Sequence, residues 1–159
     1  MPDTGVTRRR MLAGGCCLAL AGSMAGCSSE PMMGPEKSIA SLSDLEINIP
    51  IQFTYPEEEV ALLIDVGKKV EGGVGPKESI VAFSCLCQHM GLPADYKGDK
   101  GRLVCPGHGS EYDALRGGHT VEGPAPRRLP RILLKIVQRR VYAIGVQGGV
   151  IYGRASNKA

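Results

Sequence analysis

Tryptophan is absent from the 159 residues, phenylalanine occurs twice, and aromatic residues amount to 4% of the chain. A chain so poor in rings offers no platform on which nucleic-acid bases could stack. Strong charge of one sign is missing too. The formal net charge is +3, and it falls to +1 once residues 1–26, with Arg8, Arg9 and Arg10 against Asp3, are set aside. A nearly neutral remainder gives no electrostatic footprint for nucleic acid, so no nucleic-acid partner is expected. There is no comfortable membrane span: the apolar stretch from Met11 to Gly26 is short and rich in Gly and Ala, whereas a span needs about 20 apolar residues. Nor is a cysteine pair left over for a structural disulfide. Of six cysteines, Cys16, Cys17 and Cys27 lie in or beside the N-terminal segment, and Cys85, Cys87 and Cys105 lie together in the second half. After the N-terminal segment no stretch shows a convincing helical period, which leaves an all-β chain.

The length suits one domain behind an N-terminal extension. Residues 1–27 read as an export signal. Thr7-Arg8-Arg9-Arg10-Met11-Leu12 resembles the twin-arginine motif, which implies export of a folded protein to the periplasm. Three outcomes stay open for the end of this segment. Ser23-Met24-Ala25 suits ordinary cleavage; Met24-Ala25-Gly26-Cys27 resembles a lipobox, which would tether the protein to a membrane through Cys27; and an uncleaved leader would serve as an anchor. Residues 28–40, with Ser, Pro, Met and Gly and few apolar anchors, read as a linker.

From about Ile47 the pattern turns to β. Ile47, Ile49 and Ile51 alternate with Asn48, Pro50 and Gln52. Val60 to Val66 is a nearly continuous apolar run, as in a strand buried on both faces. Gly72-Gly73-Val74-Gly75-Pro76 is a long turn. Ile80 to Cys85 is a further strand, and Leu103 to Cys105 a short one. Asp95 to Arg102 reads as a polar connection, and residues 89–105 leave room for one short helix. Ile132 to Val137 and Val141 to Val146 form a hairpin, followed by a turn at Gln147-Gly148-Gly149 and a strand at Val150-Ile151-Tyr152. The expected architecture is an antiparallel β sandwich or barrel over residues 41–159, with a small subdomain of about 80–127 inserted into it.

That subdomain holds the chemistry. Cys87-Gln88-His89 is followed, after fifteen residues, by Cys105-Pro106-Gly107-His108. Each stretch offers one thiolate and one imidazole. Within a stretch the two donors are too close in sequence to wrap one metal comfortably, yet they can reach the two irons of a small [2Fe–2S] cluster, with two Cys on one iron and two His on the other. Structural zinc also accepts Cys₂His₂, but usually from a Cys pair and a separate His pair. Cys85 competes with Cys87 for the first sulfur position. Val81, Phe83 and Cys85 share one face by period two, which makes Cys85 a small buried hydrophobe. The third histidine, His119, beside Gly117-Gly118, reads as a surface turn residue.

Cys-x-His, fifteen residues and Cys-x-x-His resemble the Rieske iron–sulfur signature. His108-Gly109-Ser110-Glu111-Tyr112-Asp113 and Gly123-Pro124-Ala125-Pro126 resemble the same proteins. A closer resemblance is to the small subunit of arsenite oxidase. It adds Phe53-Thr54-Tyr55-Pro56, Gly72 to Pro76, Leu129-Pro130-Arg131 and Ile151-Tyr152-Gly153-Arg154, all outside the cluster motif. The resemblance implies one Rieske-type [2Fe–2S] cluster per chain, with Cys87 and Cys105 on the inner iron and His89 and His108 on the outer iron that takes the electron. It implies hydrogen bonds from Ser110 and Tyr112 to the cluster, and a proline loop at 123–126 that covers it. In one respect the chain departs from many Rieske proteins. The two cysteines that bridge their ligand loops are replaced here by Leu92 and Gly107.

The function implied is electron transfer in an oxidoreductase. The chain would be the Rieske subunit of a periplasmic molybdenum enzyme of the arsenite oxidase type. It would pass single electrons between a large molybdopterin-containing catalytic subunit and a soluble carrier such as cytochrome c or a cupredoxin. No substrate chemistry falls on this chain itself. The alternatives are the small subunit of a related iodate reductase, with electrons running the other way, and the Rieske subunit of a quinol–cytochrome c oxidoreductase. A non-redox zinc-binding module is a third, and the absent cross-loop cysteines count against the quinol reading.

Overall fold

A computed structural model describes residues 30–158, so the leader, its twin-arginine stretch and Cys27 lie outside the described residues. Among the described residues ten strands form two antiparallel sheets: β1 Met32–Ser41, β2 Ile51–Thr54, β3 Val60–Asp65, β4 Ile80–Ser84, β5 Asp95–Lys97, β6 Arg102–Val104, β7 Glu111–Asp113, β8 His119–Glu122, β9 Arg131–Val137 and β10 Arg140–Gln147. The larger sheet has the order β1-β10-β9-β4-β3-β2, and the smaller the order β5-β6-β7-β8. The only helical pieces among the described residues are two 3-10 turns, Leu42–Asp44 and Ala114–Arg116. The all-β expectation holds.

The apolar run at Val60–Asp65 is buried on both faces. Ala61 and Leu63 join one core, with Ile80, Ala82, Ile132 and Val141; Leu62 and Ile64 join the other, with Val81, Phe83, Leu103, Tyr112 and Leu129. The first core lies on the concave side of the curled large sheet. The second lies between that sheet and the small one. Strand β4 has the same double duty, because successive side chains point to opposite faces. Cys85 falls with Val81 and Phe83 in the second core.

The stretch expected to be a linker, residues 28–40, is instead a strand from Met32 onward, paired with β10. It carries Gly34 and Pro35 and lacks a clean period of two, because its pairing is interrupted between Met33 and Lys37 and again between Ser38 and Ala40. Proline is tolerated at such bulges and on edge strands. Side chains join this edge to β2 at the opposite edge: the Lys37 ammonium donates to the Thr54 carbonyl and hydroxyl, both at 2.8 Å, and the Tyr55 hydroxyl donates to the Pro35 carbonyl at 2.9 Å.

Three further expectations are corrected. The alternation at Ile47–Phe53 yields a strand only from Ile51, because Asn48 takes a left-handed backbone (φ 64°) and leaves Ile47 and Ile49 exposed. Between His89 and Cys105 there is no helix, and part of the polar connection is strand β5, which pairs with β6. Val150-Ile151-Tyr152 is not a strand. It belongs to a tail of turns, residues 148–158, whose glycines Gly148, Gly149 and Gly153 all have positive φ.

Candidate functional site

Two loops at one end of the large sheet carry the candidate ligands. The first follows β4 and the second follows β6. They are built alike. In the first, the Cys87 N–H donates to the Leu92 carbonyl at 2.9 Å, and the Gly91 N–H donates to the Cys87 carbonyl at 2.8 Å. In the second, the Cys105 N–H donates to the Ser110 carbonyl at 2.8 Å, and the Gly109 N–H donates to the Cys105 carbonyl at 3.1 Å. The tight turn-back needs a left-handed residue four positions after each cysteine, and glycine supplies it at least cost: φ is 76° at Gly91 and 70° at Gly109. The repeated Cys-x-x-x-Gly was a readable sequence signal for this twin knuckle, finer than the general allowance for glycines in tight loops.

The knuckles bring the four donors together. The imidazoles of His89 and His108 meet edge to face, with centroids 4.8 Å apart and planes at 86°. The sulfurs sit deeper. Cys87 is 1% exposed and Cys105 3%, while His89 is half-buried and His108 exposed. Among the described residues no three His, Cys, Asp or Glu side chains are gathered for a single ion. The donor set is a buried sulfur pair beneath a more exposed imidazole pair. That fits a group whose two metals take different ligands, with a soft pair inside and a neutral pair outside.

Around the sulfurs lie hydroxyls. The Tyr112 hydroxyl accepts from the Gln88 N–H at 3.0 Å and lies 3.1 Å from Cys87 Sγ. With the amide donating to its oxygen, the hydroxyl is placed to donate to Cys87 when that sulfur is a thiolate. Burial pushes the phenol pKa up, and the neighbouring Cys87 pushes it further, so the proton stays on oxygen. For Cys87 itself, burial pushes the thiol up. The Tyr112 hydroxyl, the His89 backbone N–H, the Cys105 thiol and the Ser110 hydroxyl more than offset it, and the net shift is down. Cys105 shifts up, from burial first and from Cys87 beside it. Of the pair, Cys87 is the readier thiolate. Ser110 is fully buried, and its hydroxyl accepts from the Ala125 N–H at 3.2 Å. That bond pins the loop 123–126 over the second knuckle, and Gly123 lies so close that an added Cβ would be 2.5 Å from Ser110 Cα.

Cys85 stands apart. Its thiol donates to the Val60 carbonyl at 3.3 Å, and burial raises its pKa to about 11. It is a neutral core thiol at ordinary pH. His119 begins β8 opposite Asp113, exposed and outside the knuckles. At the positions where many Rieske proteins carry bridging cysteines, the loops touch through apolar contact: a Cβ added at Gly107 would lie 2.5 Å from Leu92 Cδ1. One contact was not foreseen from sequence. The ring of Tyr152, in the C-terminal tail, lies against Gly91 of the first knuckle.

With the geometry in place, the likenesses to known proteins are informative. Residues 36–136 match the Rieske [2Fe-2S] domain. The chain is 38% identical over 161 residues to iodate reductase subunit IdrB of Denitromonas iodatirespirans, an alignment covering 96% of this chain and 86% of the relative. It is 41% identical over 56 residues to the cytochrome bc1 complex Rieske iron-sulfur subunit of Corynebacterium diphtheriae, covering 35% of this chain and 14% of that protein. Among solved structures, the soluble domain of the Rieske protein II (soxF) from Sulfolobus acidocaldarius superposes with a TM-score of 0.66 at 24% identity, covering 77% of this chain and 82% of the other. That last likeness is one of fold.

Proposed function

Because the chain belongs to the Rieske [2Fe–2S] family, we propose that it is the electron-transfer subunit of a periplasmic molybdenum oxidoreductase of the arsenite oxidase type. Family membership itself makes it a Rieske electron-transfer subunit with a Rieske-type [2Fe–2S] cluster. The cluster, once bound, supplies a one-electron couple.

The rest is the work of this chain's residues. Cys87 and Cys105 are the proposed inner ligands, and His89 and His108 the outer ones. Tyr112 directs its proton at Cys87 Sγ, and Ser110 ties the loop 123–126 down and excludes water. His108, on the exposed second knuckle, would hold the outer side of the cluster where a partner can approach. Under this reading the partners are a large molybdopterin-containing subunit on one side and a cytochrome c or cupredoxin on the other. Export by the twin-arginine route, with Arg8 and Arg9 as its mark, belongs to the same proposal, as does periplasmic residence.

One observation separates this reading from that of a cytochrome bc1 subunit. Similarity to the iodate reductase subunit runs through 96% of the chain, whereas similarity to the cytochrome bc1 subunit is confined to 56 residues. The stretches that resemble arsenite oxidase small subunits are also structural here. Tyr55 bonds across the sheet edges, Arg131 donates to Gln147 and to the Glu71 carbonyl, and Arg154 bonds Glu59. The same full-length similarity favours a second reading, the small subunit of an iodate reductase, with electrons flowing toward the molybdenum.

The test is gentle extraction from the source cells, followed by metal and sulfide analysis. We expect two irons and two sulfides per chain, and co-elution with a much larger molybdenum protein. Arsenite-dependent reduction of cytochrome c by that complex supports the first reading, and iodate-dependent oxidation of a reduced carrier the second. A lone chain, a cytochrome b complex, or zinc without sulfide would overturn both.

A further inference from the structure

The two knuckles share a backbone design and differ in what covers them. At Gly109 an added Cβ would meet nothing within 4 Å, and Pro106, Gly107 and His108 beside it are exposed. At Gly91 an added Cβ would lie 2.5 Å from Cδ1 and 2.6 Å from Cε1 of Tyr152. The tyrosine ring thus occupies the outer side of the first knuckle, two residues from His89. Close packing of this kind leaves the turn no room to open without moving the ring.

The ring is itself held. Tyr152 belongs to the tail 148–158, which has no strand ladder and is fixed by side chains instead. Ile151 fills the first core, and its N–H donates to Asn157 Oδ1 at 2.9 Å. The buried Asn157 donates in turn to the Gly149 carbonyl at 2.7 Å. On the other side of Tyr152, the Arg154 guanidinium bonds the carboxylates of Glu59 and Glu57 before β3. It also donates to the tail carbonyls of Ser156, at 3.0 Å, and Lys158, at 2.9 Å. Both flanks of Tyr152 are tied to the large sheet or to its turns, although the residue is 41% exposed.

We propose that Tyr152 is a positioning residue for His89: the C-terminal tail is a brace that holds the first ligand knuckle rigid from outside, while the second knuckle, backed by the loop 123–126, leaves its outer side exposed toward the redox partner. The asymmetry has a chemical use. The first imidazole keeps a fixed orientation, and the exposed second one makes the encounter. Glycine at position 91 is required twice over, by its backbone angle and by the ring laid against it. This inference rests on Cys87 and His89 being ligands, as proposed above.

The test is hydrogen–deuterium exchange on the cluster-loaded protein in its complex. In Tyr152→Ala, amides of residues 86–93 should exchange roughly tenfold faster or more, because a local opening has lost its brace, while those of residues 104–110 keep their rate. Tyr152→Phe should restore the wild-type pattern, since the contact is made by the ring. The g-values of the reduced cluster should shift in the alanine variant and return in the phenylalanine variant. Arg154→Gln, which loosens the tail without touching the core, should speed exchange at 86–93 to a smaller degree and keeps the question open to test if Tyr152→Ala does not accumulate. Equal acceleration in both loops, or none in the first, overturns the brace. His89→Ala separates the two ideas. Full iron and sulfide in that variant would overturn the ligand assignment, whereas loss of the cluster there with unchanged exchange in Tyr152→Ala would overturn the brace alone.

Discussion

Two cysteines two residues apart have opposite fates. Cys85 points into the core between the sheets and bonds the Val60 carbonyl, whereas Cys87 begins a knuckle and faces the Tyr112 hydroxyl. Cys85→Ala should therefore retain two irons and two sulfides per chain, and Cys87→Ala should lose them; iron and sulfide analysis of the two purified variants decides it. The hydroxyls give a second prediction. A hydrogen bond to a charged group contributes about 1.5–3 kcal/mol. It is present in both redox states, so only its strengthening on reduction counts. For one electron, a tenfold change in equilibrium constant is about 59 mV. Tyr112→Phe and Ser110→Ala should each lower the midpoint potential by tens of millivolts, up to on the order of 100 mV, with the cluster still assembled. Each also orphans a buried amide, of Gln88 or Ala125, at a cost to stability of about 1–3 kcal/mol. Film voltammetry and thermal melts on both variants are the measurements, and unchanged potentials would reduce these residues to packing groups.

At the scale of elements, strands with a strong pattern were readable and the weakly patterned ones were not. Val60–Asp65 and Ile80–Ser84 are apolar at nearly every position because both faces are covered, and the β9–β10 hairpin carries apolar residues on both sides of a short polar turn. Strand β1 has no such period, since its bulges break the alternation, and β5 is three residues of polar sequence that exist as a strand only through pairing with β6. The tail 148–158 is an element of another kind, fixed by side-chain bonds. Burial pushes the Glu59 carboxyl up, but the Arg154 guanidinium and two backbone N–H groups more than offset it, so its pKa lies below the ordinary 4.5. A carboxylate with a depressed folded pKa contributes stability above its unfolded value and loses it as pH falls through the folded one. The tail should thus stay latched at neutral pH and loosen on acidification below about 4.5. Amide NMR of Ile151 and Arg154 across that range should show the change, and Glu59→Gln should flatten it.

For the whole molecule, the proposed order of assembly starts from where the donors lie. Cys87 and Cys105 are buried within the two ligand loops, and insertion of a cluster between them before export is the expectation behind the proposed route, the export of a folded, loaded protein. Replacing Arg8 and Arg9 together by Lys should leave the protein in the cytoplasm with its iron and sulfide intact; normal recovery from the periplasm would count against the twin-arginine reading.

Short-range sequence was enough to propose the donor set. Two Cys/His stretches at fixed spacing specify a donor set, and a period of two places Cys85 inside, because ligand spacing and strand parity are both local properties of a chain. The contacts around the candidate site join residues far apart in sequence: Tyr112 with Cys87 and Gln88, Ser110 with Ala125, Tyr152 with Gly91. No local period encodes such pairs. They exist because the small sheet packs on one face of the large sheet while the tail anchors Ile151 in the core on the other. Sequence by itself determined which donor atoms are proposed for the cluster, because their spacing is local, and tertiary structure decided which loop is braced, which is left exposed, and how the chain closes around both.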